Sequence, residues 1–270
     1  MSEVGANELR HRALVLLLEC DPRRKAAGCI ELAAARQAGE VALDASTVLD
    51  EPAAIPGRPA GLQLVHPRDV ARRGLGSREG RIALYHSLCH IEFNAINLAL
   101  DAVWRFERLP VNFYDDWLRV AGDESRHFGW LAARLELLGS HYGALPAHDG
   151  LWEAAEKTRD DLLDRMTLVP RTLEARGLDV TPAMRERLAA AGDAEGARLL
   201  DSILADEIEH VRIGNHWYRW CCERAGRDPL TAHRTIATAH GAAMPRGPFN
   251  LDARRRAGFS DAELLALDVS

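Results

Sequence analysis

Asp123-Glu124-Ser125-Arg126-His127 and Asp206-Glu207-Ile208-Glu209-His210 are two copies of one word, Asp-Glu-x-x-His, each set among apolar residues at helical spacing. On a helix, Glu and His three residues apart share a face, so each copy can turn a carboxylate oxygen and an imidazole nitrogen toward one point. Phe113, Trp117, Val120, Leu131 and Leu138 flank the first copy; Leu200, Ile203, Gly214, Trp217 and Cys221 flank the second. Carboxylates on a core-facing stripe need a compensating charge, because an unpaired buried anion is expensive.

Two more acids extend the pattern. Glu92 interrupts the apolar row Tyr85, Leu88, Cys89, Ala95, Ala99 and Val103, and lies 32 residues before Glu124; Glu174 lies 33 before Glu207. Glu156 shares a row with Glu174 but breaks that equality, so Glu174 is preferred. The spacing predicts two related helical hairpins, each with a lone Glu on its first helix and Glu-x-x-His on its second. From Glu92 to the Leu109-Pro110 break, and back to Glu124, each leg is roughly 20 Å, which brings the two acids to one depth. A Glu from each of two helices plus Glu-x-x-His from the other two is the ligand pattern of carboxylate-bridged di-metal bundles.

The fold expected is therefore all-α. A ferritin-like four-helix bundle over residues 80–225 consists of two hairpins joined by a crossover, preceded by N-terminal helices and an arm (1–79) and followed by a C-terminal extension (226–270). Helices are expected at 7–19, 22–38, 80–107, 112–139 and 194–225. The third bundle helix starts at Asp149, with a kink at Pro170 and a second break at Gly177 and Thr181-Pro182. The connection HYGALPAHDG (141–150) spans roughly 33 Å when extended, enough to cross a bundle. Residues 39–80 read as an arm that buries Leu62, Leu64 and Val65. The tail offers a short helix at 230–242, a capping box at Ser260 and Glu263, and Arg254, Arg255 and Arg256 as a solvated run.

A formal net charge of −6 and a pI near 6.0 do not advertise nucleic acid. Cys20, Cys29, Cys89, Cys221 and Cys222 lack Cys-x-x-Cys spacing and read as reduced thiols of a cytoplasmic protein. The charged N-terminal stretch argues against a signal peptide, and no run approaches the length of a membrane span.

Four carboxylates (Glu92, Glu124, Glu174, Glu207) and two imidazoles (His127, His210) form an oxygen-rich set suited to two iron ions, with manganese or a mixed pair allowed. Asp123 is placed to support His210 and Asp206 to support His127, with Arg126 balancing charge behind them. His86 and His90 lie well round the helix from Glu92 and read as structural groups. Tyr85, two turns before Glu92, is a candidate redox tyrosine, with a core tyrosine as the plainer reading. Gly214, one turn past His210, leaves room for substrate.

The segments GRPAGLQLVHP, GRIALYHSLCHIEFNAINLALD, FYDDWLRVAGDESRHF, LPAHDGLWEAAEKTRDDLL, LVPRTLEARGLDVTP and DEIEHVRIGNHWY resemble a bacterial ferritin-like family catalogued as a domain of unknown function, similar at greater distance to di-iron tRNA hydroxylases. The resemblance covers about residues 55–258 and implies the same six ligands. The expected function is O2-activating oxidation or hydroxylation of a small organic substrate, with electrons from an external donor, since no flavin or nicotinamide motif is present. A tRNA substrate is a variant that needs Arg254 to Arg256 to line a groove. Iron handling as a ferroxidase and a non-enzymatic metal-binding or purely structural bundle are the other readings. No membrane partner is expected, and a homodimer is allowed.

Overall fold

In a computed structural model, residues 7–70, 74–242 and 245–267 are described. They are helical, with two isolated bridge pairings and no strand among them. None of the described helices is long and apolar enough to cross a membrane. The chain divides into two compact units, Met1–Gly150 and Leu151–Ser270.

The first unit contains α1 (Leu9–Leu18), α2 (Pro22–Gln37), α3 (Arg78–Arg105) and α4 (Val111–Leu137). Asp21 caps α2 by accepting from Arg23 and Arg24 amides, and Pro22 supplies the fixed φ of a first helical turn. Ser77 caps α3, and Gly139 ends α4 with φ +71°, a conformation that costs glycine little. From His86 to Trp104, α3 buries nearly every side chain, so its sequence shows little polar alternation.

Residues 39–70 form the arm, which buries Val41 and Pro56 but not the three apolar side chains expected to hold it. Leu64 is 40 % exposed and Leu62 and Val65 are only half-buried, contrary to expectation. Two buried cations bind its backbone instead. The Lys25 ammonium donates to the carbonyls of Leu17 (3.1 Å) and Gly57 (2.9 Å) and to Asn97, above the Phe93 ring. Burial pushes Lys25 down to about 7. Arg10 donates to the carbonyls of Thr47 and Trp104, stitching the arm to the end of α3. A Cβ at Gly57 would lie 2.2 Å from the Leu18 carbonyl, so only glycine allows this approach.

His86 and His90 are structural, as expected. The His86 Nε2 accepts from the amides of Gly143 (3.0 Å) and Leu145 (3.3 Å), which requires a neutral ring. His90 bonds the Tyr142 hydroxyl (2.9 Å) and the His148 carbonyl (2.8 Å). Together they pin residues 141–148 onto α3. Burial first, and neighbouring histidines next, push His86 down to about 4, and burial does the same to His90. An unfolded chain takes up these protons below about pH 6.5, whereas the folded one resists until about pH 4. The share of stability that these two rings contribute is therefore expected to be complete above pH 6.5 and to fall from 6.5 toward 4. Urea midpoints across that range check this, and His86→Gln, which keeps an acceptor that cannot titrate, is expected to flatten the loss.

The second unit runs α5 (Gly150–Lys157), α6 (Leu162–Leu168), a π-helical turn (Val169–Glu174), α7 (Ala175–Ala190), α8 (Ala194–Arg224), α9 (Pro229–Ala239), α10 (Leu251–Arg256) and α11 (Asp261–Leu267). The predicted third bundle helix is interrupted at Pro170, as expected, and also after Lys157, which was not expected. It stops at Lys157, where Arg165 takes the Ala155 carbonyl (2.7 Å) and the Thr158 hydroxyl (2.9 Å), and Asp161 caps α6. At Pro170 the missing amide is absorbed by a π turn, with the Thr172 hydroxyl donating to the Thr167 carbonyl at 2.8 Å. The second break, predicted at Gly177 and Thr181-Pro182, does not occur. Pro182 cannot donate to the Leu178 carbonyl, but the Asn250 side chain does so from 3.2 Å, and α7 continues.

The Ser260 and Glu263 capping box forms as predicted, with Ser260 N 2.7 Å from Glu263 and Glu263 N 3.3 Å from the Ser260 hydroxyl. Arg254 corrects the solvated reading: it is 1 % exposed, bound through two nitrogens to buried Asp179 (2.9 and 2.7 Å) and stacked near Phe249 and Phe259. Arg171 is buried likewise, between the Tyr218 and Phe259 rings, and reaches Asn215 and Glu263.

Candidate metal centre

In the first unit, α3 supplies Glu92 and α4 supplies Glu124 and His127. Each offers one ligand atom, and these atoms lie within 4.8 Å of one another. The His127 Nδ1 is 3.3 Å from a Glu124 oxygen and 3.7 Å from a Glu92 oxygen. Glu92 is 5 %, Glu124 1 % and His127 0 % exposed, so water cannot disperse their charge. Burial, and then the Glu124 charge, raise the Glu92 carboxyl well above its usual range. Burial alone would push His127 down, but the Glu124 and Glu92 carboxylates hold it up at about 11. The trio in isolation therefore retains protons to limit an excess of buried negative charge. That donor set, two carboxylates and an imidazole converging without water, fits a hard or borderline cation.

Asp123 immediately precedes Glu124 on α4. Its carboxylate is bound by Arg126, and both side chains line a surface cleft of about 690 Å³ between α2 and α4, with Arg36, Asp115 and Arg119. Arg126 is thus a partner of Asp123. Tyr85 is fully buried, with the Arg134 guanidinium over its ring at 5.9 Å.

In the second unit, α8 carries Glu207 and His210, whose facing atoms are 3.7 Å apart; His210 is 1 % exposed. Glu174 is the last residue of the π turn and half-buried, and Asp206 is half-buried on α8. The rival Glu156 is exposed on α5 and accepts from the Trp152 indole at 2.9 Å, which removes it from the set.

Gly214 does not open a space for substrate. A Cβ there would lie 2.4 Å from the Pro170 Cβ, so the glycine is the seat on α8 for the proline of the π turn. The pairing explains both residues: the turn that ends on Glu174 packs through Pro170 onto the helix that carries Glu207 and His210. Sequence reasoning missed this, and also missed Lys25. Its signal was a lone lysine in the otherwise alanine-rich α2.

Comparison with known proteins adds a family. A family described as "Protein of unknown function (DUF455)" matches residues 18–265. A protein of Haemophilus influenzae described as "Uncharacterized protein" is 46 % identical over 222 residues, which are 80 % of this chain and 76 % of that protein. No solved structure matches the chain. With the family match running over most of its length, the chain belongs to the DUF455 family.

Proposed function

We propose that this protein is a di-iron carboxylate oxidoreductase of ferritin-like four-helix design, which uses O2 to oxidise or hydroxylate a small organic substrate with electrons from an external donor. The observation that carries the reading is the buried trio Glu92, Glu124 and His127, whose charge calls for a cation. The repeat of that trio in Glu174, Glu207 and His210 supports a second set of ligands for a second ion. The π turn ending on Glu174 supports it further, since such turns are frequent at functional sites.

Bound by these six residues, two redox-active ions supply O2 activation. The protein's own share is to keep the ligands dry, oriented and deprotonated when needed. His127 must surrender its proton to ligate, so loading releases protons and strengthens as pH rises. Of the run Arg254 to Arg256 that a tRNA groove would need, Arg254 is committed to Asp179, which favours a small substrate over tRNA.

The test is anaerobic loading with ferrous iron followed by O2. A new visible absorbance band is expected in the wild type and not in Glu124→Ala; no spectral change in the loaded wild type overturns the oxidoreductase reading.

A further inference from the structure

We propose that Trp130 is the port through which electrons pass from solution to the metal centre. The inference rests on the oxidoreductase reading above. α4 places Trp130 three residues after His127, on the same face one turn on, with ring centroids 5.5 Å apart and planes tilted by 40°. His127 is wholly buried, whereas Trp130 is 37 % exposed. The two rings therefore make one short path from a ligand imidazole to water.

Four other aromatic side chains of α3 and α4, Phe93, Phe128, Tyr85 and Trp117, do not combine exposure with an easily oxidised ring. Phe93 and Phe128 are buried against Tyr142 and are hard to oxidise. Tyr85 is fully buried, and Trp117 is 2 % exposed and packed on Phe113. Indole is among the most easily oxidised side chains, and electron tunnelling falls off exponentially with distance. A half-open indole in ring contact with His127 combines both requirements.

Glu92, Glu124 and His127 would hold an ion that supplies an O2-derived oxidant, and Trp130 would give that oxidant one electron through His127. The indole cation sheds its Nε1 proton to water. An external one-electron donor of the flavin or iron–sulfur class returns the electron, water returns the proton, and Trp130 is restored. Where O2 reaches the indole radical before a donor does, the radical forms a C–O bond with O2. One electron from excess ferrous ion and one proton from water then close the peroxyl radical to a hydroperoxide.

The experiment exposes full-length wild type and Trp130→Phe, both checked for equal iron content, to excess ferrous iron and O2, with or without ascorbate as the donor. Peptide mass spectrometry is expected to find added oxygen on Trp130 in preference to Trp104, Trp117, Trp152, Trp217 and Trp220, suppressed by ascorbate. In Trp130→Phe, re-reduction of the oxidised chromophore by ascorbate is expected to slow by about tenfold. An O2-dependent chromophore with Trp130 unmodified, or with Trp130→Phe re-reduced at the wild-type rate, overturns the port and leaves the oxidoreductase reading standing. Absence of any chromophore in the wild type overturns both.

Discussion

Arg254→Ala is expected to destabilise the second unit by about 3–5 kcal/mol, because it leaves the Asp179 carboxylate buried without its cation. Both side chains are within 1 % of complete burial, so solvent cannot take the place of the guanidinium. Arg176 lies 3.6 Å from Asp179 but is itself 42 % exposed, too loosely held to substitute. The loss also reaches the backbone. Asp179 accepts from the Asn250 amide at 3.0 Å, and Asn250 in turn satisfies the Leu178 carbonyl that Pro182 leaves without a helical donor. The pair therefore helps α7 pass through its proline. Denaturation by urea is expected to show a lower midpoint for Arg254→Ala. The double replacement Arg254→Met with Asp179→Leu is expected to recover most of the loss, since an apolar pair of similar volume is often no worse than a buried ion pair.

Glu124→Ala is expected to abolish metal retention and, in the metal-free protein, to bring His127 from about 11 down toward its ordinary range. Glu124 and Glu92 both raise His127, and Glu124 is the nearer, at 3.3 Å against 3.7 Å. The sign follows from linkage. A histidine held up in the folded state contributes stability that is fully present below about pH 6.5 and is lost as pH rises from 6.5 toward 11. Metal-free wild type is therefore expected to weaken from neutral to alkaline pH, and the variant to show a flatter profile. Titration of the His127 ring protons by NMR measures the shift directly.

Much of this was legible in the sequence, for local reasons. The hairpin α3–α4 and the long α8 follow from apolar spacing over many turns, and the end of α4 from Gly139; the Ser77 cap of α3 went unread. Glu92, Glu124 and His127 were readable because each interrupts an apolar row, and such an interruption needs a partner. What could not be read depends on residues far apart in the chain. Pro182 signals a helix break unless Asn250, 68 residues on, is known to occupy the Leu178 carbonyl. Gly214 reads as empty space until Pro170 is seen against it. Arg254 looks solvated in a run of three arginines because nothing local names Asp179 as its partner. The arm was expected to bury leucines, whereas Lys25 and Arg10 hold it through carbonyls, which carry no side-chain signature.

The family and its Haemophilus relative give no activity of their own, so the proposal stands on the ligand set. The most direct test is the iron content of full-length protein loaded anaerobically with ferrous iron and then desalted. The account predicts two ions per chain in the wild type and their loss in both Glu92→Ala and Glu207→Ala, one variant from each half of the set. Wild-type protein that retains no iron, or variants that retain as much as the wild type, would contradict it.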